Sequence, residues 1–218
     1  MKSIEAVAAV LWMAVSVLVV PVASAAQSQE AWYAGGSIGQ GRASNSDGNV
    51  VTSLAVVGIT GTGTSSSNET AGKIFVGYRF HENVALEGGY FNLGTYSAHG
   101  TTTAPAASTF GVSSKIQGGN IDAVGILPLG QGIAGIGRVG VAYISSSTDV
   151  TFSNPVVGAR YGSPSNNKSV AQVGLGLQYQ FTPAIAGRLE WQRMLNVVNL
   201  NSVTTDIDFY SAGITWRF

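Results

Sequence analysis

The chain has 218 residues, of which 45% are hydrophobic and only 10% charged, and its 11 basic residues are balanced by 11 acidic ones. A neutral chain this poor in charge has no electrostatic means of holding a phosphate backbone, which excludes nucleic acid as a partner, and it has little to solubilise it, since water-soluble domains carry roughly 25% charged residues. The absence of cysteine excludes disulfide staples and thiolate metal sites, and His81 and His99 are too few and too scattered for zinc, so no metal or other cofactor is expected.

Behind Lys2, residues Ala6 to Val20 form an apolar or small run, followed by Pro21 and the small-x-small site Ala23-Ser24-Ala25. This reads as a secretory signal peptide over residues 1–25, cut before Ala26, with residues 26–218 forming one domain. No later stretch approaches about 18 consecutive apolar residues, so the remainder has no helical span.

From residue 32 onward the pattern has a period of two, as in strands with one greasy face. Trp32 to Gly41 is the first strand. Arg42 to Thr70 is rich in Ser, Gly, Thr and Asn and reads as a long loop, although Val50 to Ile59 is apolar enough to prolong a hairpin. Lys73 to Phe80 and Val84 to Phe91 are strands two and three, joined by the short turn His81-Glu82-Asn83. Leu93 to Ser113 is a second long loop. Strand four, Lys115 to Leu127, and strand five, Ile133 to Ile144, flank the turn Pro128-Leu129-Gly130-Gln131-Gly132, and Ser145 to Lys168 is a third long loop. Strand six, Ser169 to Phe181, alternates most cleanly. Thr182-Pro183-Ala184 turns the chain into strand seven, Ile185 to Arg193, a fourth loop covers Asn196 to Thr205, and Asp208 to Phe218 is the closing strand.

Eight strands joined alternately by three short turns and four long loops predict an all-β fold, an eight-stranded antiparallel transmembrane up-and-down β-barrel, with the short turns on the periplasmic side. A soluble sandwich has no reason to sort its turn lengths by end. The first and last strands must then pair, because an open edge in lipid leaves backbone groups unsatisfied at several kcal/mol each. Taking the greasy face of each strand as outward places Lys73, Arg79, Glu87, Asp122, Arg138, Arg188 and Glu190 inside, whereas a midplane Lys or Arg facing lipid costs roughly 2–4 kcal/mol. Opposite charges in a tube should pair, which predicts a network joining Glu87 and Glu190 to Lys73, Arg138 and Arg188, with Asp122 as a further acceptor. Trp32, Tyr78, Tyr90, Tyr143, Tyr179, Trp191, Tyr210 and Trp216 lie near strand ends on the outward face, as interfacial rings do, and Tyr33 alone points inward.

At three places the residues resemble the outer membrane protein A family. Phe75-Val76-Gly77-Tyr78-Arg79-Phe80, with Leu86-Glu87-Gly88-Gly89-Tyr90 and Leu93-Gly94 after the turn, is similar to that family's second and third strands; Thr182 to Gln192 is similar to its seventh and Gly213 to Phe218 to its eighth. The resemblance implies that the acids at Glu87 and Glu190 pair with bases to plug the barrel, and that Phe218, with Trp216 before it, is a recognition signal for the barrel assembly machinery. Two departures stand out. The lumen Lys expected on strand four is Val124 here, so Lys73, Arg138 or Arg188 must compensate, and no periplasmic peptidoglycan-binding domain follows Phe218, which leaves cell-wall anchoring unexpected.

These features predict an integral protein of the bacterial outer membrane with an envelope-structural role, embedded among outer-membrane lipid and lipopolysaccharide, whose loops are sites for host, phage or other ligands. A narrow or gated pore is the alternative. An eight-stranded barrel is filled by its own side chains, but inward Gly35, Gly39, Gly77, Gly89, Gly140, Gly174, Gly176 and Gly213 leave room for water on this reading. A rim-site hydrolase is disfavoured: His99 beside Ser97 and Thr101 to Thr103 is a chance pairing in a Ser-rich chain, His81 lies in a turn, and the protein is not expected to be an enzyme. The patterns Asn68-Glu69-Thr70 and Asn167-Lys168-Ser169 match a glycosylation acceptor but read as loop composition.

Overall fold

The structure, a computed structural model, describes residues 31–43, 60–65, 68–104, 107–154, 165–200 and 203–218. The expected signal peptide over residues 1–25 and the apolar segment Val50 to Ile59 lie outside the described residues. The strands are β1 (Ala31–Ala43), β2 (Thr60–Ser65), β3 (Asn68–His81), β4 (Val84–Ala104), β5 (Ser108–Gly130), β6 (Ile133–Phe152), β7 (Ser165–Gln180), β8 (Ile185–Leu200) and β9 (Val203–Arg217).

Every pairing is antiparallel, and the order β3-β1-β9-β8-β7-β6-β5-β4 returns to β3, so the sheet closes on itself. Closure runs through β1 and β9, paired from Tyr33↔Arg217 to Ala43↔Ile207. The ninth strand is not an extra stave. β3 pairs with β4 as far as Gly72↔Asn92, and β2 resumes beside β4 at Ser65↔Ala98, so β2 continues the line of β3 past the break at 66–67.

Inside and outside follow the alternation. Ile38, Ile74, Ile121, Leu175 and Ile214 are each more than 60% exposed, whereas Glu87, Asp122 and Gln172 on the alternate positions are at 0%. An apolar exterior around a polar interior is the reverse of a soluble β-protein and suits strands standing in hydrocarbon. Trp32, Tyr90, Tyr143, Tyr179, Tyr210 and Trp216 sit on that exterior, and Tyr33 is buried within.

The short turns are built as their residues dictate. Asn83 Nδ2 donates to the Ile126 carbonyl at 2.8 Å, tying the β3–β4 turn to β5. The β5–β6 turn is tighter than Pro128 to Gly132: β5 runs on to Gly130, and Gly130, Gln131 and Gly132 take φ of 95°, 52° and 77°, a left-handed run that two glycines make accessible. Thr182 Oγ1 accepts from the Ala184 and Ile185 amides at 3.3 and 3.0 Å around Pro183.

The four long loops need correction, because at the opposite end the described chain continues mostly as paired strand. β4 and β5 stay paired up to Thr102↔Ser108 across a register shift between Asn92 and Thr95, β5 and β6 up to Phe110↔Phe152, and β8 and β9 up to Leu200↔Val203 across a shift between Met194 and Val198. These segments lack greasy alternation because small polar residues stand on both faces, including buried Thr102 and Ser108 on the inner one beside Ala98 and Phe110. Their Thr-rich composition still suits a pleated backbone, and cross-strand hydrogen bonds carry the pattern on. The barrel therefore rises well beyond its apolar belt as a β-wall.

Ile214→Arg, on the exterior of β9 between exposed Tyr210 and Trp216, is expected to lower folding stability in phospholipid vesicles by about 2–4 kcal/mol. Urea titration of vesicle-folded protein reads this directly, and an unchanged midpoint would contradict a lipid-facing exterior.

Candidate functional site in the lumen

The inward residues form layers. Nearest the short turns, Arg79, Gln178, Gln180, Thr215 and Arg217 line a shallow mouth. Above it Tyr33, Phe75, Ala85, Val124, Ile126 and Ile136 make an apolar cluster, and towards the long-hairpin end Phe91, Leu93, Ile116, Ile144, Val170, Met194, Ile207 and Phe209 make a second. The charges lie between these two clusters.

Arg138 of β6 is the hub. Its Nη1 lies 3.0 Å from both Glu87 Oε2 and Asp122 Oδ2, and its Nη2 donates to Glu190 Oε1. Arg188 of β8 donates through Nη1 to Glu87 Oε1 at 2.5 Å and through Nε to Gln178 Oε1 at 2.9 Å. Its guanidinium lies 5.4 Å from the Tyr33 ring and 5.3 Å from the Phe75 ring, and the Tyr33 hydroxyl donates to Glu87 Oε1 at 2.8 Å. Lys73 of β3 reaches Asp122 Oδ2 at 3.5 Å and Gln192 Oε1 at 3.2 Å. Asp122 also accepts from Asn120 at 2.7 Å and from Gln172.

The structure thus brings Lys73, Glu87, Asp122, Arg138, Arg188 and Glu190 together, all buried. Asp122 differs from its expected part as a further acceptor, being the carboxylate on which Lys73, Arg138, Asn120 and Gln172 converge. Arg79 stands apart in the mouth. Sequence reasoning overlooked Tyr33, Asn120, Gln172, Gln178 and Gln192 as partners; the available signal was their inward register, which an uncharged polar side chain advertises weakly.

The position of Val124 has a structural answer. Val124 and Arg138 are cross-strand partners, so the cation absent from β5 stands directly opposite on β6, and Val124 is free to pack into the apolar cluster below.

The eight inward glycines do not leave room for water, contrary to expectation. A Cβ at any of Gly35, Gly39, Gly77, Gly89, Gly140, Gly174, Gly176 or Gly213 would lie under 3.0 Å from a neighbouring atom. The Tyr33 ring lies against Gly77, Phe75 against Gly35, and the Arg138 stem against Gly174. Glycine on the wall is what lets large side chains fill the tube.

His99, on the outside of the wall, has Thr64 and Gly111 as register neighbours, and at the short-turn end His81 Nδ1 accepts from the Asn83 amide at 3.3 Å. Trp216 and Phe218 project outward from the end of β9, ring centroids 5.6 Å apart, and the Phe218 amide donates to the Trp32 carbonyl at 3.1 Å.

Solved structures share this architecture. Neisserial surface protein A superposes with a TM-score of 0.52 over 86% of this chain and 97% of its own, and OprG from Pseudomonas aeruginosa with 0.55 over 88% and 97%, each at 14% identity. Outer membrane protein A of Salmonella typhi is 28% identical over 199 residues, which cover 90% of this chain and 51% of that protein, so the chain spans about half the length of this relative. The pattern of the OmpA-like transmembrane domain matches residues 27–218, and the chain therefore belongs to the OmpA-like transmembrane domain family, an integral β-barrel of the bacterial outer membrane.

Proposed function

We propose that the protein is a sealed, non-catalytic structural barrel of the outer membrane that offers its outer wall, rather than its lumen, to partners. The observation that carries this reading is the stacking of the lumen: a buried ion-pair layer between two apolar clusters, with glycine walls pressed against the side chains that fill the bore. A hydrated ion crossing it would have to displace Arg138 from three carboxylates and then pass between aromatic and aliphatic side chains. On this reading the β-wall above the belt is the surface for host or phage contacts, and the paired rings of Trp216 and Phe218 on the closing strand are what the barrel assembly machinery recognises.

Single-channel recording in planar bilayers tests the sealed lumen. Wild type and Glu87→Ala are both expected to be silent, because the apolar clusters remain when one carboxylate is removed; a steady ohmic conductance from wild type would overturn the reading.

The hub has its own test. Arg138→Ala leaves three buried carboxylates short of a cation and is expected to cost about 3–5 kcal/mol in vesicle unfolding titrations. Adding Val124→Lys restores a cation at the cross-strand partner position and recovers part of that loss. A double variant no more stable than the single one would show that the two sites do not exchange. For assembly, Phe218→Ala is expected to reduce the heat-modifiable, folded fraction in isolated outer membranes several-fold while leaving refolding of the purified chain into vesicles unchanged.

A further inference from the structure

Arg79 and Arg217, at the short-turn end of the tube, belong to neither the ion-pair layer nor the apolar clusters. They stand on either side of β1, as register partners of Ala31 and Tyr33, and line one cavity with Gln178, Gln180 and Thr215, with Arg188 at its inner end. Their backbones are roughly 12 Å apart across two strand spacings, within reach of two arginine stems that share one bore. This mouth opens towards the periplasm.

Charge balance separates the mouth from the layer above it. In the layer Lys73, Arg138 and Arg188 meet Glu87, Asp122 and Glu190, three against three, so the layer is neutral by itself. Arg79 and Arg217 are left over. Among the described residues no carboxylate lies within ion-pair distance of either, and the charges that act on Arg79 are the like charges of Arg217 and Arg188. The Arg79 Nε–H is also buried with no hydrogen-bond partner, a state that costs stability unless an acceptor enters the cavity. With about 10 Å³ of free space, that cavity has room for one water-sized group. A water would satisfy the hydrogen bond and leave both cations uncompensated, whereas a carboxylate oxygen answers both needs.

We propose that this periplasmic mouth binds one carboxylate group, held between Arg79 and Arg217, with the rest of its molecule remaining in the periplasm. A carboxylate is flat and meets the edge of a guanidinium through two parallel hydrogen bonds. Phosphate carries further oxygens out of that plane, for which the cavity has no room. The site goes beyond the wall as a partner surface and leaves the bore sealed, because the ion-pair layer and the apolar cluster of Tyr33, Phe75 and Val124 lie on its inner side.

The test follows the Arg79 Nε–H resonance of isotope-labelled protein folded in non-ionic detergent micelles, identified by its absence from Arg79→Lys. Acetyl-glycyl-glycine with a free carboxylate, the amide of the same peptide, acetate and inorganic phosphate are titrated separately at one ionic strength. The free peptide and acetate are expected to shift the resonance to saturation, the amide to leave it in place, and phosphate to act about tenfold more weakly than acetate. A peptide held more tightly than acetate marks a chain-borne carboxylate and equal binding a free one, and either supports the site. Arg217→Gln weakens both carboxylate arms about tenfold. Lys115→Ala, an exposed cation on β5, and Glu30→Gln, which removes the chain's own carboxylate ahead of β1, leave them unchanged. The heat-dependent gel shift of each variant reports that it is folded. No saturable shift with either carboxylate, an equal shift with the amide, phosphate as tight as acetate, an equal loss in Lys115→Ala, or tighter binding in Glu30→Gln would overturn the site.

Discussion

Hydrocarbon offers no hydrogen bonds, so each backbone N–H and C=O of a strand inside it must be satisfied by another strand, and the sheet has to close. The rest of this structure follows from closure with eight staves. The pairing of Tyr33 to Ala43 with Arg217 to Ile207 removes the last free edge of the belt. Eight strands also fix a bore too narrow for anything but side chains. The interior of the tube must therefore be solved as a packing problem, with the added requirement that every charge turned away from lipid finds an opposite charge within it.

The solution is a core turned on its end. A soluble domain buries its apolar side chains together and leaves its charges in water; here the charges are central and the apolar side chains form collars above and below them. The collars keep water from the ion pairs. Withdrawing six charged groups from water carries a large desolvation penalty, offset only when geometry and auxiliary hydrogen bonds are good. That requirement accounts for the neutral members of the network. Asn120 and Gln172 donate to Asp122, Gln178 accepts from Arg188, and Tyr33 donates to Glu87 while its ring, with that of Phe75, flanks the Arg188 guanidinium. Val124 on β5 is uncharged and its cross-strand partner Arg138 on β6 carries the cation of the layer. What the layer requires physically is a cation within reach of Glu87, Asp122 and Glu190, and Arg138 supplies it.

Within the belt the sequence was readable almost residue by residue, because two immiscible environments on the two faces of one strand imprint a period of two, and a slip of one residue would put Glu87 or Arg188 into lipid. Above the belt the outer face meets water instead of lipid, the imprint disappears, and Thr101-Thr102-Thr103 or Ser145-Ser146-Ser147 looks like loop although the backbone ladder continues through it. Composition there reports solvent, not conformation. In the lumen, the inward assignment of each charge was legible but the pairing was not, since partners such as Arg188 and Glu87 are 101 residues apart and meet only after closure. The glycines were misjudged for a related reason. A missing side chain in one strand is a space only if no neighbouring strand fills it, and Tyr33 against Gly77 shows that the neighbour does.

With the bore filled, the wall above the belt is the other surface that closure shapes. The wall is a continuation of the barrel ladder: β4 and β5 stay paired, through one register shift, over a span much longer than the roughly 9–11 residues needed to cross a membrane. Its outward side chains are therefore held by the same hydrogen bonds that hold the belt, and a partner meeting them would not have to order a free loop, whose immobilisation opposes binding. The pairing of β1 with β9 runs up to Ala43↔Ile207 and that of β8 with β9 to Leu200↔Val203, so the closure that satisfies the backbone in hydrocarbon also orders the described wall beyond it.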